Sequence, residues 1–116
     1  MHPRTIYRLL DADVWEQAQR AGAFHGTEHD VRDGFIHFST AAQVAETASR
    51  HYAARPNLIL LWVDTARLGD ALRWEPSRGG ALFPHLYAPL PVASVTRAEP
   101  LPLSAEGRHR FPSNLE

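Results

Sequence analysis

Apolar residues recur along the chain in two rhythms, every second position in some stretches and every third or fourth in others. The first rhythm marks strands and the second marks helices. Thr5–Leu10 is rich in strand formers, and as a strand it sets Ile6, Arg8 and Leu10 on one face and Tyr7 and Leu9 on the other. A helix is predicted next, opening at Asp11 or Asp13. Asp13 and Glu16 have capping-box spacing, Val14, Trp15, Ala18 and Ala21 form an apolar stripe, and Gly22 is a natural stop. Residues Ala23–Asp33, with three acids and two histidines, read as an exposed loop.

Gly34 opens a second strand, Phe35–Ser39. Thr40 then caps a second helix, completed by Gln43 as a T-x-x-Q box, with Val44, Ala48, His51 and Tyr52 on one face. That helix runs to about Ala53, and Pro56 prevents its continuation. Leu58–Val63 is a continuous apolar run, the pattern of a central strand buried on both faces. Asp64–Gly69 is a turn, Leu72–Glu75 a short strand, and Pro76–Gly80 a loop with a glycine pair. Leu82–Tyr87 is extended, but Pro84 places it at an edge or a bulge. Pro89 and Pro91 mark a turn before a last strand, Val92–Leu101. The order β-α-β-α followed by strands predicts an α+β fold with two helices in its N-terminal half. One domain is expected over residues 1–103, with a polar, peripheral tail over 104–116.

Composition narrows the function classes. The chain has 116 residues, enough for one hydrophobic core, and 44% of them are hydrophobic. A net charge of -1 leaves no electrostatic footprint for duplex DNA. With no cysteines there is no disulfide, thiolate zinc site, iron–sulfur cluster or cysteine nucleophile, and a reducing compartment fits. The longest apolar run is far too short to span a bilayer, and the start of the chain has no signal-peptide core. The expectation is a cytoplasmic protein with no membrane partner.

The candidate chemistry lies in two segments. In Gly34–Thr40, strand alternation puts Phe35, His37 and Ser39 on one face and Ile36 and Phe38 on the core face. A helix N-terminus at Thr40 would add backbone N–H groups that favour an anion such as a phosphate. The plainer reading is a helix cap at Ser39 or Thr40 and a half-buried His37. In Arg73–Tyr87, an extended strand points Phe83, His85 and Tyr87 the same way, a stacking wall for a flat heterocycle. Arg73 would pair with phosphate, and Glu75 would bind a ribose hydroxyl or stabilise a cation. The plainer reading is an Arg73–Glu75 surface pair beside aromatic core filler.

Two other patterns compete. His37-x-Ser39 is half of a two-histidine phosphoesterase signature, but His85 is followed by Leu86-Tyr87 rather than by a second hydroxyl. His25 and His29, four apart beside Glu28 and Asp30, have metal-ligand spacing only on a helix, and on the predicted loop they read as solvated. No metal is expected, and no role is assigned to His2, His51 or His109. Trp15 and Trp62 are expected in the core, and Trp74 in the core or a pocket wall.

The blocks Ile6-Tyr7-Arg8, Trp15-Glu16, Gly34-Phe35-Ile36-His37-Phe38-Ser39-Thr40, Leu72-Arg73-Trp74-Glu75 and Phe83-Pro84-His85-Leu86-Tyr87 resemble a small bacterial family, domain of unknown function 952 (DUF952). The likeness covers about residues 5–101. That family looks like a compact ADP-ribosyltransferase-like fold, two split antiparallel sheets around an NAD-binding cleft, and is similar to RNA 2′-phosphotransferases. The resemblance implies a nucleotide-like ligand with NAD as cofactor. It implies ADP-ribosyl transfer or NAD-dependent removal of a phosphate, with an RNA or protein acceptor, or a non-enzymatic binding module of the same fold. By position, Arg8, His37 with Ser39, and His85 would surround NAD. Transferases of this fold place a glutamate in their third motif; here His85 stands in that region and Glu75 lies close in sequence. The implied catalytic set is His37, His85 and Glu75, with Arg8, His37, Ser39, Thr40, Arg73, Phe83 and Tyr87 binding the cofactor.

Overall fold

The computed structural model describes residues 2–113 and residue 115. Its frame is an antiparallel sheet in the order β1-β4-β8, made of β1 (Thr5–Asp11), β4 (Leu58–Asp64) and β8 (Val95–Leu101). Strand β4 is central, as its unbroken apolar run requires, because both of its faces are covered. Leu58, Leu60 and Trp62 enter one apolar cluster together with Tyr7 and Leu9 of β1. Leu61 and Val63 enter the other with Ile6 and Leu10. Alternation therefore sends each strand's odd and even positions into different cores, and Arg8 goes with Ile6 and Leu10.

Helix α1 (Ala12–Ala21) buries Trp15 and Ala18 and ends at Gly22, whose φ of 85° suits glycine. The Asp13–Glu16 capping box does not form: Asp11 is the N-cap, and Asp13 accepts from the N–H of Val14. The stretch expected as loop is structured. It contains β2 (Ala23–Phe24) and α2 (Glu28–Asp33), and α2 opens on a reciprocal capping box between Thr27 and Asp30. Among the described residues, three α-helices, not two, precede β4.

Strand β3 (Ile36–His37) is followed by Ser39, which exchanges backbone hydrogen bonds with Tyr7, Tyr7 N–H to Ser39 O at 2.7 Å and Ser39 N–H to Tyr7 O at 2.9 Å. That bridge ties β1 to a second sheet of order β3-β6-β5, with β5 (Leu72–Pro76) and β6 (Leu82–Leu86). The expectation of an edge position for the Pro84 strand is overturned, since β6 lies in the middle. Pro84 is tolerated because pairing with β3 covers only Ile36↔Leu86 and His37↔His85. Beyond His37 the strand needs no donor from Pro84, whose carbonyl accepts from the Phe38 N–H.

The helix expected at Thr40 begins later, as α3 (Val44–His51), with Val44 and Ala48 buried. A turn occupies the gap, and the Gln43 side chain accepts from the Thr40 N–H. The proline-flanked turn contains β7 (Leu90–Pro91), which pairs with β2, and the last strand starts at Val95 rather than Val92. In the tail, Phe111 and Leu115 pack against the second cluster. The fold is α+β with antiparallel pairing throughout. Among the described residues, no helix is long and apolar enough to cross a membrane.

Candidate functional site

Between the two larger sheets, α2 and α3 lies a cavity of about 450 Å³, within the range typical of small-molecule sites. Its wall includes Arg8, His37, Ser39, Phe83 and His85, five of the residues singled out in the sequence. Strand pairing brings them together. His37 and His85 are opposite each other in the β3–β6 register, and their ring centroids lie 5.7 Å apart at an interplanar angle of 72°. Alternation also keeps Ile36 and Phe38 on the core side, both buried.

The floor is an ion pair that hydropathy does not reveal. Arg8 Nη1 donates to Asp30 Oδ1 at 2.8 Å and to the His37 carbonyl at 2.8 Å, and Arg8 Nε donates to the Leu9 carbonyl. Both side chains are nearly solvent-free, at 7% and 2% exposure. Asp30 also accepts from the Thr27 N–H, the His37 N–H and His37 Nδ1, the last at 2.7 Å. Burial opposes ionisation of Asp30, but the hydrogen bonds from His37 and Arg8 and the Arg8 charge outweigh it. Its carboxyl is held far below the usual carboxylate range. Asp30 is thus the hub that fixes α2, β1 and β3 to one another.

On the far side, burial pushes the His85 imidazole below its ordinary value, with partial compensation from Glu75. Glu75 Oε1 accepts from His85 Nδ1 at 2.9 Å and from the Tyr87 hydroxyl at 2.7 Å. Those two donors lower the Glu75 carboxyl, and the same contact raises the Tyr87 phenol. Phe35 stacks on His85 at 3.9 Å between centroids.

Several expectations are corrected. Ser39, expected on one strand face with His37, pairs its hydroxyl with Thr47 Oγ1 at 2.9 Å, because β3 ends at His37 and Ser39 turns toward α3. Thr40, Arg73, Glu75 and Tyr87 are not part of the cavity wall. Arg73 instead lies over the Tyr87 ring at 4.8 Å, and Tyr87 borders a shallower hollow with Phe35. Trp15 and Trp62 are buried as expected, and Trp74 is half-buried with His2 stacked on it.

The structure also adds residues that the sequence reading passed over. Arg78, beyond Pro76, reaches back over the Phe83 ring at 4.9 Å and donates to Thr47 Oγ1 at 3.1 Å. His29, His51, Thr47 and Tyr52 complete much of the rim. The one signal for the α2 side was the Thr27-x-x-Asp30 spacing followed by Gly34, a helix start and stop around six residues.

The comparisons agree with this architecture. A crystal structure of protein CC0527 from Caulobacter crescentus is 46% identical, has a TM-score of 0.88, and aligns over 91% of this chain and 93% of that one. The solution structure of CC0527 aligns with a TM-score of 0.82 over 91% of each chain. No curated protein matches the chain. Residues 9–98 match the family profile described as protein of unknown function (DUF952), and the chain therefore belongs to the DUF952 family.

Proposed function

We propose that the cavity binds NAD or a related nucleotide, in the manner of a compact ADP-ribosyltransferase-like fold. The observation that carries this reading is the convergence of His37 and His85 on one cavity whose wall also holds Arg78 and the Ser39–Thr47 hydroxyl pair. A flat ring enters beside Phe83 and His85, and the diphosphate lies toward Arg78, which presents a planar donor fork over Phe83. Arg8 takes a supporting part, since its Nε and Nη1 already serve protein acceptors.

In a catalytic version the nicotinamide–ribose bond breaks. Bound NAD would supply the leaving nicotinamide, which would take the bonding electrons as an RNA or protein acceptor, or an RNA phosphate, joined the ribose carbon, any proton on that acceptor passing to solvent. The transition state is cation-like there, so orientation of the ribose by His37 and stacking of the leaving ring are what the wall supplies. A second reading, binding without turnover, is favoured by Glu75. Its carboxylate is engaged by His85 and Tyr87 and lies outside the cavity wall.

Calorimetric titration with NAD and with ADP-ribose, comparing the native chain with His37→Ala, tests the shared claim. Saturable binding that weakens in the variant supports it, and no binding of either ligand at millimolar concentration refutes it. Nicotinamide release in the presence of RNA and protein acceptors then separates the two readings.

A further inference from the structure

A second chemical feature sits at the rim of the same cavity and does not depend on the nucleotide reading. His29 and Asp33 are one turn apart on α2, and His37 follows them past the Gly34 turn. Asp33 Oδ2 is 3.1 Å from His29 Nε2 and 2.9 Å from His37 Nε2, and one ligand atom from each of the three residues lies within 4.8 Å of the others. We propose that His29, Asp33 and His37 form a site for a first-row divalent cation of the Zn²⁺, Co²⁺ or Ni²⁺ kind.

The spacing is right for an ion that caps the triangle of the three atoms. Neighbouring ligands on an ion with bonds near 2.1 Å stand about 3.0–3.4 Å apart, close to the 3.1 and 2.9 Å from Asp33 Oδ2 to the two imidazole nitrogens. The support behind His37 is the stronger argument. Its Nδ1 faces the buried Asp30 carboxylate at 2.7 Å, and Asp30 is itself held by Arg8 and Thr27. A carboxylate on the far ring nitrogen is the arrangement that fixes a metal-binding imidazole, because it keeps a proton on Nδ1 and leaves the Nε2 lone pair for the ion.

Two imidazoles and one carboxylate favour borderline transition metals over Mg²⁺ or Ca²⁺, which take oxygen ligands. With three protein ligands on one side, the remaining positions stay open. His29 and His37 both line the cavity, so the ion would sit at its rim. The histidine pair that drew notice in the sequence, His25 and His29, is not the pair used: His25 lies at the shallower hollow. Helix α2 turns a four-residue spacing into His29–Asp33 instead.

The test is titration of tag-free protein with Zn²⁺ by calorimetry and with Co²⁺ by visible absorption. The expected result is one ion per chain with a Kd on the order of micromolar or tighter, and a rise in melting temperature on loading. His29→Ala and Asp33→Asn, both at exposed positions, should each weaken binding tenfold or more while leaving the metal-free melting temperature close to native. His25→Ala should leave affinity unchanged. Absence of stoichiometric binding below millimolar Zn²⁺, or binding indifferent to both His29→Ala and Asp33→Asn, overturns the site.

Discussion

His37 and His85 are cross-strand partners whose rings meet edge to face, 5.7 Å apart, over one cavity. They come from segments nearly fifty residues apart, and the short β3–β6 pairing brings them together. Removal of either ring should weaken NAD or ADP-ribose binding by about tenfold or more, which corresponds to about 1.4 kcal/mol or more. Arg78→Ala should do the same, because its guanidinium lines the cavity over the Phe83 ring, where the diphosphate is proposed to lie. Arg73→Ala should change affinity less than twofold, since Arg73 lies over Tyr87 outside the wall. Calorimetry on the four variants checks the ranking.

The buried Arg8–Asp30 pair is the strongest structural commitment near the site. Asp30→Asn leaves Arg8 charged and poorly matched in an apolar setting, and a loss of about 3–5 kcal/mol in unfolding free energy is expected. Arg8→Met should cost a similar amount. The double variant Arg8→Met/Asp30→Asn should cost clearly less than the sum, because no unpaired charge remains. Urea unfolding of the three variants decides this.

The same carboxylate makes the fold sensitive to acid. Its folded-state value is depressed, so the stability it contributes is complete above the ordinary aspartate range near pH 4. That stability is lost as pH falls below this range and Asp30 is forced toward protonation. Denaturant unfolding followed from pH 7 to pH 2 should show a steep decline in this window. The decline should be shallower in Asp30→Asn.

Gly34 closes α2 with φ 87°, in the left-handed region, and its N–H donates to the Asp30 carbonyl at 2.9 Å. A Cβ there would meet nothing within 4 Å, so the cost of Gly34→Ala is torsional rather than steric. About 1–2 kcal/mol of destabilisation is expected. Faster exchange of the His37 amide should accompany it, because that N–H depends on Asp30 being held in place.

What the sequence disclosed depended on apolar surface. The alternations in β1 and β4 were readable because each face enters a different core, and so was the placement of Ile36 and Phe38 behind His37. Helix α2 was not readable by that route. Its one buried side chain is the charged Asp30, and Val31 is 69% exposed, so no apolar stripe marks it. The polar run looked like loop because its helix is held by a carboxylate rather than by hydrophobic contact. Pro84 misled for a related reason: the rule against proline in central strands assumes a neighbour that needs its N–H, and β3 stops short of it. Arg78 opens the turn that carries Gly79 and Gly80, and its reach toward α3 is a tertiary fact. Apart from Ser39, the cavity residues that were foreseen lie on strands, where period-two geometry assigns faces, and those that were missed lie on or beside α2, α3 and the Arg78 turn.

The most direct test of the nucleotide reading is the set of histidine side-chain nitrogen resonances recorded during addition of ADP-ribose. The account predicts saturable shifts of His37 and His85 together, with one common binding curve. His2, stacked on Trp74 away from the cavity wall, should remain still. If His37 and His85 stay unmoved at millimolar ADP-ribose while the protein remains folded, the account is contradicted.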